Sequence, residues 1–129
     1  MFRNYVRLGA VFMLLAVALG AFGAHGLKDK IDAGMLSAYE TGVQYHIAHA
    51  LGLLLIGLAA DKLGESKWVS RAGAFLVAGI VLFSGSLYVM AVTGIGKLGI
   101  ITPFGGVAFL IGWACLAAAA SKRYSHPKK

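Results

Sequence analysis

Cysteine occurs once in this chain, at position 115, so no intramolecular disulfide can form and a secreted disulfide scaffold is excluded. Charge is scarce as well. Charged residues are 13% of the 129 positions, about half the roughly 25% usual in a soluble domain. No acidic pair, no nucleophile with a neighbouring base and no phosphate-binding Walker loop is present, so a soluble catalytic domain is excluded and no enzymatic activity is expected. Nor does any Pro- or Ser-rich linker divide the chain, which reads as one small domain over residues 1–129.

What fills the sequence is apolar. Hydrophobic residues make up 59% of it, and the charges leave four uncharged runs, 8–27, 41–60, 72–96 and 98–121. Each matches the roughly 20 residues that carry a helix across about 30 Å of hydrocarbon. The expected fold is all-α: a polytopic membrane protein of four transmembrane helices in a bundle of two helical hairpins, with spans at about 5–26, 41–60, 70–94 and 102–121. A short amphipathic stretch precedes the second span. There Ile31, Met35, Leu36 and Tyr39 keep helical spacing among Asp29, Asp32, Ser37 and Glu40, as in an interfacial helix turn. The first run resembles a signal peptide in its basic start and its Ala24-His25-Gly26 triplet. It exceeds an ordinary signal core and three more spans follow, so it is expected to remain as span one.

The net charge of +7 is a topology signal, not a nucleic-acid footprint. Arg3, Arg7, Lys62, Lys67, Arg71, Lys122, Arg123, Lys128 and Lys129 fall on one side of a four-span chain, against Lys28, Lys30 and Lys97 on the other. Basic residues of short loops stay in the cytoplasm. Both termini are therefore expected there, with the protein multi-pass in a bacterial inner membrane and a basic face beside anionic headgroups. The bilayer is the expected partner, nucleic acid is not, and no protein partner can be named.

Small residues mark where helices can approach. Ala16, Gly20 and Ala24 recur every four residues in span one; Gly105, Ala108 and Gly112 do similar work in span four, beside the bulky Phe109 and Trp113. Homo-oligomerisation is expected, since four short spans bury little protein surface alone. Thr102-Pro103 reads as a helix start, with Thr102 as cap. Cys115 reads as an inert small apolar residue. The halves also match at an offset of 64: Arg7-x-Gly9-Ala10 with Arg71-x-Gly73-Ala74, and Gly42-Val43-x3-Ile47-x2-Ala50 with Gly106-Val107-x3-Ile111-x2-Ala114. That pattern suggests a parallel repeat of one hairpin. Where the first half has His46 and His49, the second has Leu110 and Trp113.

Candidate chemistry therefore belongs to the first half. Tyr39, His46 and His49 share one face of a helix, and an ionisable group inside a span is a functional candidate by default. The two histidines could serve as metal ligands, though no third ligand lies beside them. They could serve as haem ligands with a partner's help, as a proton or ligand relay, or as neutral rings that fix helix packing. Glu40 and Gln44, with His25, could line a polar vestibule or be an ordinary solvated helix start. Ser84, Ser86 and Thr93 read as interhelical hydrogen bonds. No metal or other cofactor is expected. The favoured function is a non-enzymatic packing, assembly or membrane-homeostasis component. The alternative is a small transporter or channel lined by Glu40, Gln44, His46, His49 and Ser84, and metal or haem binding through His46 and His49 comes third.

Four stretches in order, GAFGAHGL at 20–27, TGVQYHIAHALGLL at 41–54, LFSGSLYVMAVTG at 82–94 and ITPFGGVAFLIGW at 101–113, resemble a family of small bacterial inner-membrane proteins of the YgdD/YwdK type. It is a domain-of-unknown-function family with small eukaryotic transmembrane relatives. The resemblance covers nearly the whole chain. It implies a four-helix membrane protein and supplies no reaction, substrate or catalytic residue.

Overall fold

The computed structural model describes residues 2–64 and 66–121; the basic residues Lys122, Arg123, Lys128 and Lys129 lie outside them. Helix α1 runs Phe2–Phe22 and continues through one π-helical turn, Gly23–Leu27. Helix α2 spans Ala33–Leu63, α3 Lys67–Gly79, and α4 Gly85–Thr93, with a π-helical turn Ile80–Ser84 joining the last two into one span. A 3-10 helix, Gly96–Ile100, leads into α5, Thr102–Ser121. All four helical stretches are long and apolar enough to cross a membrane.

The connections obey local chemistry. Asp32 caps α2 by accepting from the Met35 N–H at 2.8 Å, and Ser66 caps α3 by accepting from Val69 at 3.2 Å. The amphipathic stretch expected before span two is the opening of α2 itself. With 31 residues, α2 is roughly 46 Å long at about 1.5 Å per residue. Gly94 closes α4 in the left-handed region, φ 74°, its N–H bonded to the Met90 carbonyl. Thr102 departs from its expected role: its hydroxyl bonds Ser86 Oγ at 2.6 Å, and the Ile101 carbonyl receives the first N–H groups of α5 instead.

Two hairpins result, α1 on α2 and α3–α4 on α5, joined by α2 against the third span. α2 and the third span are thus the inner pair, while α1 and α5 flank them. Small residues make each joint. In the first hairpin Ala16 is fully buried, Gly20 lies against Val43, and Gly23 lies under the Tyr39 ring. In the second, Ala108 and Gly112 are buried, and the face of Gly112 meets Leu76 and the Ala72 carbonyl. Gly105 lies directly on the Phe83 backbone. Between the hairpins, Leu53, Ile56 and Leu76 are fully buried, and Gly42 faces Leu87, Tyr88 and the Ser84 carbonyl. Tyr5 ties the flank in: its ring covers Gly73 and its hydroxyl donates to the Ser70 carbonyl at 3.2 Å.

Gly105 gives a direct test of this packing. A methyl group there collides with backbone, which cannot swing aside, whereas one at Gly85 has nothing within 4 Å. Gly105→Ala is expected to cost about 1–3 kcal/mol as overpacking. Gly85→Ala is expected to be neutral or stabilising, since Ala is the better helix former. Thermal unfolding of the detergent-solubilised protein measures both; equal midpoints for the two variants would mean that α5 does not touch the Phe83 backbone.

Candidate intramembrane polar site

Polar side chains inside hydrocarbon must find partners within the protein, because no water is there to take their hydrogen bonds. Tyr39, His46 and His49 sit on the buried face of α2, with His46 3% and His49 6% exposed. His49 is saturated. Its Nδ1–H donates to the Tyr45 carbonyl one turn back at 2.7 Å, and its Nε2 accepts from Trp113 Nε1–H at 3.0 Å. Because an indole nitrogen only donates, Nε2 must be the acceptor and the proton sits on Nδ1. The ring also stacks on Phe109, centroids 3.5 Å apart and planes 16° from parallel.

His46 is held on one side only. Nδ1 shares a 2.8 Å hydrogen bond with the Tyr88 hydroxyl, its direction set by the imidazole tautomer. Nε2 is buried without a hydrogen-bond partner; the Phe12 carbonyl of α1 approaches the ring but does not close a bond. Phe12 also meets the ring edge-on at 6.0 Å. About two turns earlier in α2, the Tyr39 ring lies 5.0 Å from that of Tyr88, and its hydroxyl donates to the Leu19 carbonyl of α1. Ser84 Oγ, fully buried, donates to the Gly42 carbonyl at 2.7 Å. Tyr39 and His46 thus come together through Tyr88, and Ser84 joins them through Gly42, at the joint of α1, α2 and the third span. His49 lies on the α5 side of that joint.

The remaining candidates lie elsewhere. Glu40 and Gln44 are exposed on α2 and line a cleft of about 250 Å³ with Gly20, Gly23 and Ala24 of α1. His25 is exposed on the π-helical turn and is not among the residues lining that cleft. Thr93 bonds the Val89 carbonyl in its own helix at 2.6 Å, so it makes no interhelical contact. Cys115 is buried in the core shared by α2, α3 and α5. Among the described residues no three His, Cys, Asp or Glu side chains are grouped as metal ligands are.

Two members of the site did not stand out from the sequence. Tyr88 has no assigned role there and Trp113 only that of packing bulk, yet each supplies a histidine's partner. For Trp113 a signal existed: it is the repeat counterpart of His49, 64 residues on, and the two positions meet in space. Tyr45 and Phe109 are also counterparts, and their rings stack 6.2 Å apart.

Trp113→Phe removes the indole donor to His49 Nε2 and is expected to lower stability by about 1–3 kcal/mol, the cost of a buried acceptor left unpaired. Phe104→Leu, on the exposed face of the same helix, is the control. In ¹⁵N spectra of the wild type, the His49 ring should show the Nδ1-protonated tautomer. A ring protonated at Nε2 would contradict the Trp113 bond.

Comparison with known proteins follows the same outline. Residues 19–106 match the family described as Protein of unknown function (DUF423). The UPF0382 membrane protein YwdK of Bacillus subtilis (strain 168) is 56% identical over 93% of this chain and 98% of its own length. A UPF0382 membrane protein of Staphylococcus epidermidis is 48% identical over 93% of this chain and 97% of its own. One of Haemophilus influenzae is 40% identical over 95% and 98%. No solved structure matches. Alike along nearly their whole lengths, these proteins place the chain in their group: it belongs to the DUF423 (UPF0382) family of membrane proteins.

Proposed function

We propose that this chain is a non-enzymatic component of the bacterial inner membrane that assembles with itself, and that its intramembrane polar residues hold helices together rather than move a substrate. The observation that carries this reading is the fate of the hydrogen-bonding groups. His49 spends both nitrogens on the protein, Ser84 closes on the Gly42 carbonyl, and Ser86 closes on Thr102 and the Phe83 carbonyl. A lined passage keeps such groups turned toward water or substrate. Here they lie at helix joints, and the exposed pair Glu40 and Gln44 stands apart from them.

One observation favours the alternative, a small transporter or relay: His46 Nε2 is buried with no hydrogen-bond partner. The two readings separate in reconstituted vesicles. Gln is polar, uncharged and of similar reach, so the His46→Gln/His49→Gln double variant is expected to fold and assemble, whereas the double Leu variant strands the Tyr88 and Trp113 hydroxyl and indole at about 1–3 kcal/mol each. No proton or small-ion flux is expected from any of the three proteins. A wild-type flux that disappears in a fully stable Gln variant would establish the relay instead, since Gln cannot titrate near neutral pH.

The orientation proposed for the inner membrane is both termini in the cytoplasm, supported by nine basic residues on one side of the chain against three on the other. Trp68 at the start of α3, with the Arg71 guanidinium 5.1 Å from its ring centroid, fits an interfacial anchor on that same basic side. A reporter that works only in the cytoplasm, fused after residue 129, is expected to be active. Activity of an export-dependent reporter there would reverse the orientation.

A further inference from the structure

Two polar side chains of the first hairpin take no part in its joints. Glu40 and Gln44 lie one turn apart on α2, both exposed, and line the cleft of about 250 Å³ between α1 and α2. Neither side chain makes a hydrogen bond or ion pair with another described residue. The uncharged run of α2 begins at residue 41, so Glu40 stands at the hydrocarbon boundary and Gln44 about 6 Å inside it, at about 1.5 Å per residue. An amide at that depth needs a partner, and packing supplies none. Nor does the hairpin pattern call for polarity here: the counterparts 64 residues on are Phe104 and Ala108.

The floor of the cleft is closed within the chain, where Val43 packs on Gly20 and the Tyr39 ring on Gly23. Its open walls are the exposed Ala24 of α1 and the Glu40–Gln44 edge of α2. That edge offers a carboxylate and an amide carbonyl, both acceptors. Such a pair fits a cation that carries N–H groups, since each N–H finds an oxygen and Glu40 matches the charge. A quaternary ammonium has no N–H to give and is held by cages of aromatic faces; this cleft has one aromatic ring, Tyr39. The turn that follows the α1 wall carries Lys28 and Lys30, both exposed, so an anion beside the cation is matched as well. Headgroups that join an ammonium to a phosphate lie at this level of a bilayer.

We propose that the α1–α2 cleft binds the primary ammonium of an aminophospholipid headgroup. Glu40 pairs its charge, the Gln44 carbonyl takes a second N–H, and Lys28 and Lys30 attract the phosphate. The acyl chains stay in the bilayer. One chain completes the site, so it does not depend on self-assembly.

Selective retention of lipid tests the site. The detergent-purified chain is mixed with equimolar phosphatidylethanolamine, phosphatidylcholine and phosphatidylglycerol of the same acyl chains, and bound lipid is read by native mass spectrometry. The ethanolamine lipid is expected to be retained at least about tenfold over the choline lipid, the scale of a charge-assisted hydrogen bond. Glu40→Gln keeps the reach of the side chain without its charge and should bring the two lipids to parity. Ala24→Leu, which fills the cleft, should do the same. Asp61→Asn, an exposed acid at the other end of α2, is the control and should leave the preference intact. Thermal midpoints like that of the wild type confirm that the variants are folded. Equal retention of the ethanolamine and choline lipids by the wild type, or a preference that survives Glu40→Gln, would overturn the site. So would retention of phosphatidylglycerol above both, since the lysines and not Glu40 would then govern the contact. Free ethanolamine that raises the thermal midpoint of a chain retaining no phosphatidylethanolamine would overturn the lipid as the source of the ammonium.

Discussion

At the joint between the two hairpins a glycine meets a serine: Gly42 of α2 lies on the third span, and Ser84 Oγ donates to the Gly42 carbonyl. Everything else in the inner joint depends on that spacing. A side chain at position 42 would meet the Tyr88 ring at 3.1 Å and the Leu87 Cβ at 3.3 Å, so glycine there lets Tyr88 lie against α2 and reach His46 without being displaced. The serine bond then uses a second lone pair on a helical carbonyl, at no cost to the helix ladder. Ser84 can do this because it closes the π-helical turn Ile80–Ser84. Such a turn carries one extra residue in the helix and resets the face shown by everything after it. Before it, Leu76 and Gly79 face α5 and α2; after it, Leu87, Tyr88 and Ala91 serve α2.

How far the sequence was legible follows from the range of the forces involved. Hydrocarbon demands about 20 charge-free residues in a row, a local requirement, so the four spans stand out without any structure. The shared face of Tyr39, His46 and His49 is local as well, since it depends only on helical period. Their partners are not. Tyr88 is 42 residues from His46 and Trp113 is 64 from His49; nothing near the histidines announces them. Only the internal repeat carries long-range information, and it does pair His49 with Trp113. The π-helical turns were illegible because Gly23 and Gly26 in one, and the uniformly apolar residues before Ser84 in the other, are compatible with an ordinary α-helix. Thr102 misled for a related reason. A threonine before proline is a good cap in isolation, but the hydroxyl of Ser86 on the neighbouring helix is a better-placed partner.

Tyr39 shows how the polar groups divide between hairpins and joint. Its hydroxyl reaches back to the Leu19 carbonyl of α1, while its ring faces Tyr88 of α4. One side chain thus stitches the first hairpin internally and supports its contact with the second. The ring is accommodated because Gly23 has no side chain to displace it. Leu27, at the end of the same π-helical turn, joins Tyr39 and Ala91 in a small apolar cluster roofed by Met35 and Leu36. The amphipathic opening of α2 therefore has a definite task. It covers the end of the inner joint, with Asp32 outside at the cap.

The repeat makes the distribution of polarity intelligible. Two hairpins of similar pattern occupy unlike surroundings: α2 is an inner helix and α5 a flanking one. At equivalent positions the inner helix has His46 and His49, the outer one Leu110 and Trp113. A histidine turned to lipid exposes two hydrogen-bonding nitrogens to hydrocarbon, whereas one inside a joint can be matched by Tyr88 or Trp113. Leucine suits the opposite case: at position 110 it is compatible with lipid and with an apolar partner helix alike. A permanent contact can rely on directional hydrogen bonds because its partner is always present, covalently tied through the same chain. Polar closure inside the chain, and an apolar outer face at Leu110, are what this difference in surroundings requires.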